Sequence, residues 1–303
     1  MARSKMSLVS ITCILASSLL IFNHIVFTRK NEPQNNVLIE PVHNTEPVST
    51  TNCKLSTLKD PSNLPYNLVG EGPHWSQLGQ DRVVDTLLEG KRGGFFIEAG
   101  GYDGEQHSNT LFLERSRGWS GVLIEANPHL FHRLENKKRK CYIINAGLSM
   151  SGQAQAVNFR MAGPLGGFSE LQTQEHLQRI SSEIDSNQPW MQGDEGSGSE
   201  VEIMTYPLQD LLQCIEEKTR QGIVVDFFSL DTEGSEYDIL KAIDFSLITI
   251  GVMVVEYNGN EAAKNKIIAL METNRFQVKS SDGTDIWFTN PSYFQSMKLQ
   301  HRT

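Results

Sequence analysis

The stretch Gly93 to Asn109, GGFFIEAGGYDGEQHSN, constrains this chain more than any other. Phe95, Phe96 and Ile97 form a short apolar run that ends on an acid, Glu98, and Gly100, Gly101 and Gly104 follow before a helix start at Ser108 or Asn109. A buried strand, a tight glycine turn and a helix N-terminus in that order predict the nucleotide pocket of an α/β fold.

Strands and helices alternate around this stretch. The pattern predicts an amphipathic helix over 76–90, the strand ending at Glu98, a helix over 108–117 stopped by Gly118, and a strand over 121–125, GVLIE. Asn127 and Pro128 then make a cap and first turn for the next helix, and a strand over 141–145 follows. Further strands are expected over 156–160, 201–205, 223–231 and 250–256, with a helix opened by Pro207. The piece 276–289 holds Asp282-Gly283 between two strand-like runs, a hairpin signal. A mostly parallel sheet closed by a C-terminal antiparallel hairpin predicts a Rossmann-like seven-stranded methyltransferase sheet, because a plain dinucleotide domain would continue in βα units.

Before this domain, Ser7 to Phe27 contains no Asp, Glu, Lys or Arg. At 1.5 Å per residue it reaches about 31 Å, enough for a transmembrane helix. The sequence therefore predicts a short cytoplasmic tail at 1–6, a signal anchor at 7–27, a disordered Pro/Asn/Thr/Ser-rich stem at 28–65 and the catalytic-type domain at 66–303. A cleaved signal peptide is the competing reading, but no clear small-x-small site follows the run. The expected topology is a single-pass type II membrane protein of the endoplasmic reticulum or Golgi, with its domain in the lumen. Residues 181–200 carry five acids and no Lys or Arg, and read as a mobile surface insertion. Of the four cysteines, Cys13 lies in the apolar run. At most one internal disulfide can form among Cys53, Cys141 and Cys214, and the last two read as buried thiols.

With 36 acids against 27 Lys and Arg, the net charge of −9 argues against nucleic acid as a partner. Three strand ends carry acids: Glu98, Glu125 and Asp231. Glu125 stands about 20 residues beyond the glycine turn, where an acid accepts hydrogen bonds from ribose hydroxyls. A pyrophosphate at the first loop would meet Glu98, Asp103 and Glu105, whereas a sulfonium and an ammonium group would be attracted. The charge pattern thus favours S-adenosylmethionine over a dinucleotide. His107, Asp231 and Glu233 are candidate bases for an acceptor hydroxyl. Glu236 reads as a helix-start acid, no metal cluster stands out, and the basic run Arg133, Lys137, Lys138, Arg139 and Lys140 reads as a solvated helix end.

The segments FIEAGGYDGE, VLIEANP, INAGLS and FFSLDTEGSEYDILKAI, in this order, resemble the FkbM-type methyltransferases over about residues 93–290. The resemblance implies S-adenosylmethionine contacts at Glu98, Gly100, Gly101, Gly104, Glu125 and Asp231, with Asn145 or Ala146 beside the adenine. It also implies methylation of a hydroxyl on a small molecule or glycan. The anchor, the stem and the EAGGYDGE variant resemble more narrowly a membrane-anchored, Star-like animal branch, for which a non-catalytic role as escort of protein cargo is the alternative.

Overall fold

The computed structural model describes residues 53, 55–186 and 196–300, all within one unit of the chain, Thr50–Thr303. The expected tail, anchor and most of the stem lie outside the described residues, and among the described ones no helix is long and apolar enough to cross a membrane. In chain order the first half holds β1 (Leu58–Lys59), α1 (Gln80–Leu87), β2 (Phe95–Ala99), α2 (Leu111–Arg117), β3 (Ser120–Glu125), α3 (Pro128–Asn136) and β4 (Tyr142–Asn145). Then come β5 (Gly147–Leu148), β6 (Gln155–Arg160), β7 (Gly167–Phe168), α4 (Gln174–Asp185), β8 (Glu200–Tyr206) and α5 (Leu208–Thr219). The last part holds β9 (Val225–Leu230), α6 (Glu236–Ala242), β10 (Ile250–Glu256), α7 (Glu261–Thr273), β11 (Gln277–Ser281), β12 (Asp285–Thr289) and α8 (Pro291–Gln300).

The main sheet runs β1-β4-β3-β2-β9-β10-β12-β11. Its five central strands, β4 to β10, are parallel, and β12 enters antiparallel between β10 and β11. Period-two alternation assigns the two faces: Phe96, Leu123, Phe227 and Val252 pack on one side, Ile97, Val122, Phe228 and Met253 on the other. Helices cover both faces, so these strands read as near-continuous apolar runs. One polar interruption, Asp226 in β9, is buried where Lys91 Nζ (2.6 Å) and the Phe95 N–H (2.8 Å) donate to it, and Tyr293 of α8 donates as well. A second sheet, β5-β8-β6-β7, is built from the excursion between β4 and β9.

Three expectations are corrected. The stem does not extend to 65: β1 pairs antiparallel with β4, Leu58 facing Ile144, and makes the sheet eight-stranded. Leu58 is buried in the core there, with Leu55 and Cys53 of the same segment packed partly buried against it. Cys214 is not a free thiol, because Cys53 reaches α5 and bonds to it, leaving Cys141 as the buried free cysteine. The acidic stretch 181–200 is not wholly a surface insertion, since its first residues complete α4 and Glu183 faces inward; residues 187–195 lie outside the described part.

Candidate functional site

β2 and β9 are neighbours in space, yet the chain runs outward from β2 through β3 and β4 before returning to β9. At such a reversal of strand order the carboxyl ends diverge and leave a crevice. A cavity of about 660 Å³ opens there, within the range of small-molecule sites. Glu98, Gly100, Gly101, His107, Glu125, Asp231 and Glu233 line it; Gly104 and Asn145 do not.

The glycine turn is held by the strands on either side. The Gly100 and Gly101 N–H groups both donate to the Ile124 carbonyl at 3.0 Å, and the Asp231 N–H donates to the Ala99 carbonyl at 3.1 Å. Gly100 has φ +88°, and a Cβ there would stand 1.8 Å from the Asp231 carbonyl oxygen, so no other residue fits. Gly104 packs on Leu134 of α3, and its carbonyl accepts from Arg139 at 2.6 Å.

Glu98 is an internal anchor more than a ligand group. Its carboxylate accepts from the Asn109 N–H (2.6 Å), from Ser108 Oγ (3.0 Å) and from Thr110 Oγ1, and so fixes the start of α2. Burial pushes its pKa up, while Arg139 and these three donors pull against that shift. The helix accordingly begins at Leu111, later than expected, with the residues before it folded over Glu98.

The acids of the first loop do not present a common negative face to the cavity. Asp103 pairs with Arg133 (3.2 Å) and Lys137 (3.7 Å); Glu105 pairs with Lys137 (2.6 Å) and accepts from the Val69 and Gly70 N–H groups. Burial alone would raise the Glu105 pKa, but Lys137 and those amides hold it below its ordinary value. The basic run is therefore no solvated helix end. Arg139 is wholly buried against Glu114, and Lys140 donates to the Ser62 and Leu64 carbonyls. Residues roughly 30 apart in sequence neutralise each other, which spacing alone does not reveal.

Glu125, at the end of β3, is buried and accepts from the Tyr102 N–H (2.8 Å) and the Asn127 N–H (2.7 Å). These amides orient the carboxylate at the cavity wall, beside the glycine turn. Asn127 also caps α3, its side chain accepting from the His129 and Leu130 N–H groups. Asn145 lies opposite Glu125 in β4, but its amide donates to the Glu125 and Ala126 carbonyls. It holds the loop from behind, and Ala146 and Leu148 form the cavity wall.

At the ends of β9 and β10, Asp231, Glu233 and Glu256 bring one carboxylate oxygen each within 4.8 Å of one another. Burial and the charges of Asp231 and Glu236 push Glu233 up to about 8. Burial and Asp231 push Glu256 up to about 12. Asp231 is raised by burial too, but the Glu256 carboxyl donates to it and His107 lies near, both opposing the rise. Asn258 Nδ2 bridges Glu256 (2.8 Å) and Glu233 (3.3 Å). His107 sits exposed at the mouth with φ +60°. Glu236 reaches back to the N–H groups of Thr232 and Gly234, which accounts for it as a helix-start acid. Glu256 and Asn258 were not among the sequence candidates, although Glu256 ends its strand on an acid as Glu125 does.

The opposite wall comes from the second sheet and α4, with Phe159, Phe168, Pro164, Leu165, Arg179 and Glu183. Among the lining residues Arg179 is the one Lys or Arg against six carboxyl groups, so a pyrophosphate would meet far more repulsion than counter-charge here. A nucleoside carrying a cationic sulfur fits: Glu125 can take its hydroxyls, apolar Ala126, Ala146 and Leu148 its base, and the turn at Gly100 leaves room that a side chain would fill.

No curated protein sequence matches the chain. Among solved structures it is similar to a human methyltransferase 10 domain containing protein at 10% identity and a TM-score of 0.36, covering 73% of this chain and 83% of that one. It is similar also to a putative RNA methyltransferase from Pyrococcus horikoshii at 10% identity and a TM-score of 0.35, covering 78% and 92%. The methyltransferase FkbM domain matches residues 98–278, from Glu98 in β2 into β11, which takes in the glycine turn, Glu125 and the Asp231 cluster. The chain belongs to the FkbM methyltransferase family.

Proposed function

We propose that this protein is an S-adenosylmethionine-dependent methyltransferase acting on a hydroxyl oxygen of a small molecule or glycan. One arrangement carries the reading: a single cavity at the strand-order reversal has a ribose-type acid, Glu125, at one side and a cluster of carboxylates, headed by Asp231, at the other. Glu125 and the Gly100–Gly101 turn would hold the cofactor, which supplies an electrophilic methyl group. Asp231 orients the acceptor hydroxyl and takes its proton, with Glu233 beside it and His107 at the mouth. Acids predominate in the lining, which favours neutral or cationic acceptors over nucleic acid.

The lumenal, membrane-anchored placement belongs to the same proposal. The Cys53–Cys214 bond supports it, since structural disulfides form in oxidising compartments, and Cys53 follows the apolar segment 7–27. Calorimetry of the full-length protein with S-adenosylmethionine tests the cofactor reading. Saturable binding in the wild type and its loss in Glu125→Ala are expected; a folded wild type that binds nothing at millimolar ligand would leave the cargo-escort role in its place.

A further inference from the structure

Asp231 and Glu256 end adjacent parallel strands, with Leu230 and Val255 in register immediately before them. Their carboxyl groups thus meet at the cavity floor, and two like charges so close cannot both persist. The surroundings decide which group keeps the proton. Asn258 Nδ2 donates to Glu256 Oε2 at 2.8 Å, and Asp285, facing Glu256 from β12, is engaged by Gln80 Nε2 at 2.9 Å. The Glu233 and Glu236 carboxyls, just before and at the start of α6, face the pair and raise Glu256, while Arg179 of α4 lies against Glu233 and His107 against Asp231.

We propose that Glu256 is a positioning residue for methyl transfer: its carboxyl proton binds one oxygen of Asp231 and leaves the other oxygen to receive the proton of the acceptor hydroxyl. This rests on the methyltransferase reading and deepens it by giving Glu256 the proton that leaves Asp231 ionised to act as the base. In the step, the acceptor oxygen forms its bond to the methyl carbon, the carbon–sulfur bond breaks with its electron pair kept by sulfur, and the hydroxyl proton goes to Asp231. Glu256 neither gains nor loses a proton. Glu233, itself pushed up to about 8, flanks the pair.

Infrared difference spectroscopy on the full-length protein tests this without an acceptor. Wild type minus Glu256→Gln at neutral pH should show one protonated-carboxyl band missing from the variant. Titration of Asp231 should be little changed in Glu256→Gln, whose amide still donates, and should move up by about one pH unit in Glu256→Leu, which has no donor. No missing band, or an unmoved Asp231 titration in Glu256→Leu, overturns the proposal. So does calorimetric binding of Mg²⁺ or Ca²⁺ to the wild type that Glu256→Gln abolishes, since the carboxylates would then be ligands and not a proton-sharing pair. Wild type that shows the proton pair yet binds no S-adenosylmethionine sinks the methyltransferase reading itself, a result distinct from the other three.

Discussion

Arg139 and Glu114 form a wholly buried ion pair, Nε to Oε2 at 3.1 Å, beneath the glycine turn. The same guanidinium donates to the Gly104 carbonyl, Ser108 Oγ and Thr110 Oγ1, so it ties α2, the loop and the strand end at Glu98 together. Burial disfavours its charge, yet Glu114 holds its pKa above the ordinary value. Arg139→Met should cost about 3–5 kcal/mol, because it strands the Glu114 charge and unpairs three further groups. Arg139→Lys should recover little of this, lacking the planar fork. Urea denaturation of both variants checks the pair of outcomes.

Gly100→Ala should abolish cofactor binding and destabilise the protein by about 3 kcal/mol or more, since the added carbon collides with the Asp231 backbone at a left-handed φ. Calorimetry and thermal melting are the measurements. Retained binding with an unchanged melting temperature would contradict the described turn.

Glu233 titrates near 8 in the folded protein against an ordinary 4.5. The folded state therefore binds a proton that the unfolded state releases, and stability falls as pH rises from about 4.5 to about 8, then levels off. Glu233→Gln should flatten this slope and melt higher than wild type at pH 8. The gain should be on the order of 1–2 kcal/mol, well short of the full shift because the half-buried group is partly screened. Melting curves between pH 5 and 9 would show no divergence if Glu233 titrated normally.

Reduction, or the Cys53→Ser/Cys214→Ser pair, should lower stability by about 3–5 kcal/mol, given the sequence separation of 161 between the joined residues. Guanidinium unfolding with and without a reductant reads this directly, and identical midpoints would refute it.

Much of this architecture is visible in the sequence because its signals are local. The apolar runs, Asn127 with Pro128, and Asp282-Gly283 each depend on neighbours a few residues away, and they predict β2, β3, α3 and the β11–β12 hairpin closely. The misread features are those decided by distant partners. The charge of Asp103 and Glu105 is cancelled by α3 and the residues after it; Asn145 looks like a ligand group until the Glu125 and Ala126 carbonyls are seen to hold it; Leu58 looks like stem until Ile144 covers it. Glu256 was missed for the same reason, since its significance comes from Asp231 in the adjoining strand.

The Cys53–Cys214 bond also divides the molecule topologically. It closes a covalent ring that contains β1 to β8, and so the Glu125 side of the cavity, while β9 to β12 and the carboxylate pair lie on the open tail. The two sides of the cavity thus meet at one seam, β2 against β9, which is held by hydrogen bonds and side-chain packing. A single backbone cut anywhere inside the ring leaves both halves covalently joined until the protein is reduced, whereas after a cut beyond Cys214 only the sheet pairing and the core packing hold the carboxylate side in place.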